Sequence, residues 1–446
     1  MLAQRVASSD YSRLPDDTRA VAKQAILDFL GVTLAGINEP LSRILREEIS
    51  EQGGNQQAQL FGIHQRGTLV QAALLNGAAG HAHDYDDVHN AMSGHPTVPV
   101  APAVLALGEH LHSSGKDLIN AFCTGVDVEC LLGRYAGPSH YASGWHNTGT
   151  LGTFGAAAAA ARLYGLDTHA TTAALGIAGT QAAGLKGQFG TMCKPLHAGH
   201  AASTGLQAAS LARRGFSSSG DILENPQGFM ATQAPGASIE RFHEALAVPA
   251  YTQDICFKYH AACYLTHSAI EATGSLVHSN RFDPNDIERI VVEVDKGHLR
   301  VCNIAEPDTG LQAKFSLRLT TAMALTGVDT SSIAVYDDEL TRDPQLIEYR
   351  DKVQVRAHDG YNPDTIVTIN TRSGEHFQAA CNVAIPSRDL DAQWHKLACK
   401  FLTLATPVIG SANAESVVDF CRTLEDADTV APLIALLANP NRTPSQ

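Results

Sequence analysis

Apolar positions recur at helical spacing through most of the chain. Val21, Ala25, Ile26, Phe29 and Leu30 share one face after Pro15-Asp16-Asp17, where proline and two acidic residues suit the positive end of a helix dipole. Leu41, Ile44, Leu45 and Ile49 predict a second amphipathic helix, closed by Gly53-Gly54. The small-residue stretch QAALLNGAAGHAH from Gln71 predicts a third, and Pro99 to His112 and Lys116 to Tyr135 two more. The alanine-rich run after Gly152, then Ala170 to Ala183 and His197 to Arg214, combine helix propensity with little bulk. Such helices can pack on all sides.

The period changes after about Ala250. IERIVVEV (Ile287 to Val294) has the β-branched content of a strand. KVQVRAH and TIVTINTRSGEHFQAACNV alternate, with a hairpin turn at Ser373-Gly374. Between them, Ala313 to Gly327 predicts a helix, and helical spacing returns from Asp391. The pattern therefore predicts a mainly α fold. Residues 1–250 and 391–446 form an all-helical domain, and residues 251–390 a smaller α+β domain of normal size. The tail PNRTPSQ has the composition of a disordered end.

Composition narrows the function. A formal net charge of -14 argues against a nucleic-acid partner, which would want a basic surface. MLAQRVASSD lacks the apolar core of a secretory signal, and the run Gly155 to Ala161 falls far short of the roughly 20 residues of a membrane span. No membrane partner is expected. Nine cysteines without CxxC spacing read as reduced, mostly buried thiols of a cytoplasmic protein. Walker, GxGxxG and GxSxG patterns are missing.

Candidate chemistry concentrates in four segments. HAHDYDDVHNAMSGHP, His81 to Pro96, packs four histidines and three aspartates into sixteen positions, including Asp84, Asp86, Asp87, His89 and His95. GWHNTGTLGTFG puts His146 just before a helix whose N–H groups can hold a carboxylate. GLKGQFGTMCKPLHAGHAA sets Lys194 and Pro195 ahead of His197 and His200, and CFKYHAACYLTH carries Lys258, Tyr259, His260 and His267. A lone histidine at a helix start is more often a cap than a catalyst. Four such segments together suit a receptor for a small polycarboxylate, with groups able to take a proton from carbon beside a carboxylate. The cluster also offers metal ligands, but no HExxH-like spacing accompanies it, so no metal is expected. Cys193 and Cys263 are expected to be inert.

In this order, AILDFLGVTLAG, NGAAGHAHDYDD, HPTVPVAPAVLALGE, GTFGAAAAAARLYGLD, KPLHAGHAASTGLQAASLARRGF and AKFSLRLT resemble the MmgE/PrpD family, which includes 2-methylcitrate dehydratase and cis-aconitate decarboxylase. The resemblance covers most of the chain. It implies a helical domain with an α+β lid, an active site in the cleft between them, a homodimer, and no organic cofactor or metal. Its site residues fall on Asp84, His95, His146, Lys194 and Lys258. Arg318 and Leu319 stand where members usually have Pro-Tyr, Lys258-Tyr259-His260-Ala261 replaces a lysine-proline-tyrosine-proline run, and Tyr264 replaces a common arginine. Within the family the whole chain most resembles a cofactor-independent isomerase, an epimerase of a polycarboxylate amino-acid derivative. His95 and Lys258 then move the proton, Lys194 and His146 bind carboxylates, Asp84 orients a neighbour, and His260 and Arg318 add contacts. A hydro-lyase or decarboxylase acting on a tricarboxylate is the alternative, and a non-catalytic helical binding protein the second.

Overall fold

The computed structural model describes residues 1–279, 282–360 and 362–439. The chain divides into two compact units, Met1–Phe257 with Pro386–Gln446, and Lys258–Ile385.

In the first unit α1 (Asp16–Gly36) carries Asp16 and Asp17 in its first turn, and α2 (Leu69–Gly80) starts at Thr68 with a reciprocal capping box to Gln71. Then come α3 (Thr97–Leu111), α4 (Gly115–Ala136), α5 (Asn147–Leu163), α6 (Thr168–Gly179) and α7 (Cys193–Ala212). Helix α5 is buried continuously from Asn147 to Ala161, which is why its sequence is nearly all small residues. Helix α7 packs against both α2 and α5. A methyl at Gly199 would stand 2.1 Å from the Leu74 carbonyl oxygen, and one at Gly205 2.6 Å from that of Thr153. These two glycines set the close approach that brings the starts of α5 and α7 to the end of α2.

Two expectations for this unit need correction. It is not wholly helical: β1 (Ala58–Leu60) and β2 (Gln65–Gly67) form an antiparallel hairpin, whose three-residue strands are too short to show alternation. Ile44 also leaves the apolar face assigned to it, at 48% exposure, whereas Leu41 and Ile49 are buried.

The second unit packs α8 (Tyr264–His278) on a four-stranded sheet made of β3 (Ile287–Val294), β4 (Val353–Ala357), β5 (Thr365–Thr371) and β6 (His376–Cys381). The strand order is β4-β3-β5-β6, with β3 and β4 parallel and the other pairs antiparallel. Gly374, at φ 86°, makes the turn between β5 and β6. The helix expected from Ala313 to Gly327 is broken. A short turn ends at Ala313, and α9 (Leu317–Thr326) restarts from Ser316, whose hydroxyl accepts from the Leu319 N–H and so caps the helix instead of continuing it. The chain then rejoins the first unit with α10 (Leu390–Ile409), which packs on α1. Among the described residues no single helix is long and apolar enough to cross a membrane. The tail PNRTPSQ lies outside the described residues.

Candidate active site

Helix α2 stops at His81 and α3 starts at Thr97, so the polar stretch between them joins two buried helices. Its three aspartates have three different fates. Asp87 faces inward: the Thr97 hydroxyl and N–H both donate to it, tying down the start of α3. Burial pushes its carboxyl well above the usual carboxylate range, and its bonds from Thr97 give it a structural role. Asp84 adopts φ 52°, a left-handed backbone that few residues other than glycine tolerate. Its Oδ1 accepts a 2.8 Å hydrogen bond from Lys194 Nζ, which projects from the first turn of α7.

Asp86 is 1% exposed and lies between two imidazoles. His81 Nδ1 is 2.9 and 3.0 Å from its two oxygens. His95 Nδ1 stands 3.0 Å from Oδ2, close but off the line of an ideal hydrogen bond, and His95 Nε2 is 3.5 Å from Asp84 Oδ1. Burial alone would raise the Asp86 carboxyl, yet the two imidazoles together hold it well below the usual carboxylate range. His81 goes the other way. Burial pulls its pKa down to about 4, so it is neutral near pH 7.

His146 immediately precedes α5, without a side-chain cap bond, and arrives from a third segment. Its ring stacks with His81 at 5.8 Å, and its Nδ1 lies 3.1 Å from His197 Nδ1. Burial holds its pKa well below the usual histidine value. Phe189 closes the group, with its ring 4.9 Å from His146 and 5.5 Å from Lys194 Nζ. The Thr148 hydroxyl accepts the His95 N–H at 3.0 Å. Asp84, His95, His146 and Lys194, read from three segments of sequence, thus come together in one unit. His89 does not join them: it bonds the Tyr251 carbonyl and the Ala91 N–H, which is a structural role.

Lys258, His260 and Arg318 belong to the second unit. There His260 Nδ1 bonds the Thr330 hydroxyl at 2.8 Å and its Nε2 stands 3.3 Å from Glu271. Arg318, at the start of α9, has a buried Nε without a hydrogen-bond partner.

Two functional supports escaped the sequence reading. Lys400 on α10 stands 2.7 Å from Asp28 on α1, donates to the Tyr85 carbonyl at 2.8 Å and lies 3.8 Å over the Tyr85 ring. Tyr85 sits between Asp84 and Asp86, so this pair anchors the loop from behind. The available signal was a lysine on the apolar face of Leu397, Phe401 and Leu404, and an aspartate inside AILDFLGV. His197, noted but given no role, is the second.

Chemically, the cluster offers an ammonium and uncapped starts of α5 and α7 for carboxylates, with neutral imidazoles beside an ionised carboxylate for proton transfer. His81, Asp84, Asp86 and His95 also bring ligand atoms within 4.8 Å of one another, a grouping able to hold a cation. Lys194 already supplies positive charge to Asp84 there.

The human cis-aconitate decarboxylase is 27% identical over 454 residues, covering 94% of this chain and 90% of its own. That of Aspergillus terreus is 27% identical over 477 residues, covering 99% and 95%. The mouse cis-aconitate decarboxylase, also 27% identical, covers 96% and 91%. The MmgE/PrpD N-terminal domain matches residues 1–241 and the C-terminal domain residues 260–426, so the chain belongs to the MmgE/PrpD family.

Proposed function

We propose that the chain is a cofactor-independent enzyme that moves a proton at a carbon beside a carboxylate of a small polycarboxylate. The observation that carries this reading is the convergence of Lys194, Asp84, His95 and His146, an anion-binding and proton-moving set in one unit. The cis-aconitate decarboxylase relatives support a lyase as the reaction to assay first. In such a step the bond to the leaving carboxylate breaks and carbon dioxide departs. The electron pair stays on carbon, spread into the neighbouring carboxylate, until an acid such as His95 returns a proton.

A second reading is favoured by one feature. Leu319 is a buried apolar residue of α9 where family members usually carry the tyrosine that assists decarboxylation. Without that phenol, simple removal and return of a proton is the easier task, as in an epimerase interconverting stereoisomers of iminodisuccinate. Lys258 is then the second proton-handling group, as the family resemblance implies. His260 and Arg318 serve as further carboxylate contacts.

Proton NMR in deuterated buffer separates the readings when cis-aconitate, 2-methylcitrate and iminodisuccinate are supplied in turn. Carbon dioxide loss or water loss supports the lyase. Deuterium uptake with the carbon skeleton unchanged supports the epimerase. Binding without either change, on all three, contradicts both and favours a helical binding protein. The family resemblance also supports a homodimer, which light scattering would report as twice the 47.3 kDa chain mass.

A further inference from the structure

The sequence reading gave Asp86 no individual role, yet this carboxylate faces two imidazoles. Its depth matters: at 1% exposure it is shielded from bulk solvent, and its oxygens face His81 Nδ1 and His95 Nδ1. A carboxylate is acceptor-only, so each nitrogen facing it must carry a hydrogen. His81 therefore has its proton on Nδ1, which leaves Nε2 as a lone pair, and that atom is buried with no hydrogen-bond partner. His95 has its proton on Nδ1 as well. Its Nε2, on the side of Asp84 and Lys194, is then the nitrogen able to accept or return a proton.

We propose that Asp86 is a positioning residue that locks His95 in the Nδ1–H tautomer and aims its Nε2 at the substrate, with His81 as the second tether that keeps the carboxylate in place. This rests on the reading of His95 as a proton-moving group. The two tethers divide the work. His81 Nδ1 stands near both oxygens and fixes the carboxylate plane, while His95 Nδ1 faces Oδ2 at 3.0 Å, off the line of an ideal hydrogen bond. Leucine in place of the aspartate removes both acceptor oxygens at similar size. Asp84 Oδ1, 3.5 Å from Nε2, is then the carboxylate left beside His95, so the proton of His95 moves to Nε2.

Nitrogen-15 NMR of histidine-labelled protein, with His95 assigned by its loss in His95→Gln, reads the tautomers directly and needs no substrate. In the resting wild-type protein the expected result is Nδ1–H at both His81 and His95. In Asp86→Leu, His95 switches to Nε2–H. On whichever of cis-aconitate or iminodisuccinate is turned over, Asp86→Leu should lower kcat by about a hundredfold or more, with KM within about threefold. The precedent is the large kcat loss when the triad aspartate that fixes a histidine tautomer is replaced. A wild-type His95 carrying Nε2–H overturns the proposal whether or not the variant folds. So does a folded Asp86→Leu protein with the His95 tautomer unchanged. If the tautomers read as expected but no substrate reacts, the functional reading fails while the tautomer lock stands.

Discussion

Two lysine–aspartate pairs of nearly equal length flank the same loop, and they do different work. Lys400–Asp28, at 2.7 Å, has side chains 4% and 2% exposed and lies behind Tyr85. Lys194–Asp84, at 2.8 Å, has side chains 18% and 37% exposed and lies beside His95. Breaking a buried pair by removing one partner strands a charge in low dielectric, while a pair reached by water loses little. The first pair therefore belongs to the fold. The second contributes little to stability, which suits the binding role proposed for it.

The comparison breaks most readily at the buried pair. Lys400→Met should lower the unfolding free energy by about 3–5 kcal/mol in a denaturant titration. A loss under about 1 kcal/mol would put both pairs in one class. Acid should act next. The pKa of His81 falls from 6.5 to about 4 on folding, so below pH 6.5 the unfolded chain binds the proton first and stability falls with pH. From pH 6.5 to 4 this one group accounts for a loss of about 3 kcal/mol. Thermal unfolding across that range, in wild type and His81→Phe, checks it: the variant should show the shallower fall.

Lys194→Met sharpens the contrast from the other side. Activity should drop about a hundredfold in kcat/KM, equivalent to about 2.7 kcal/mol of transition-state stabilisation. Stability should change by no more than about 1 kcal/mol. Equal losses of stability in Lys194→Met and Lys400→Met would erase the distinction. The smallest effect belongs to Arg43–Glu47, an i,i+4 pair with side chains 58% and 62% exposed. Arg43→Ala should cost about 0.3–0.5 kcal/mol, measured by denaturation at low salt, and less at high salt.

Much of this was readable from sequence because it rests on local signals. Helical period and alternation put the strand at Ile287–Val294 and the change of architecture after residue 250. Density of titratable groups pointed to the segments that hold Asp84, His95, His146 and Lys194, and the family resemblance picked out those residues, with Lys258, within them. Tertiary pairing was not readable. Neither Lys400 nor Asp28 sits in a motif, and 372 residues separate them in the chain. The three aspartates of DYDD look equivalent as letters. Only burial and partners make one a lysine ligand, one a clamp for two imidazoles and one a buried tie to Thr97. Ser316 likewise reads as one polar residue in a helical stretch until its cap bond is seen.

The central claim is that the histidine–aspartate–lysine cluster of the first unit moves a proton on and off substrate carbon. Solvent-hydrogen exchange tests it most directly: with cis-aconitate and iminodisuccinate as substrates, deuterium incorporated from heavy water is followed by NMR in wild type and in His95→Asn. The expected result is incorporation at a carbon beside a carboxylate by the wild type, and at least a hundredfold slower incorporation by the variant. Equal rates in the two proteins, or a wild-type product carrying no solvent deuterium, would contradict it.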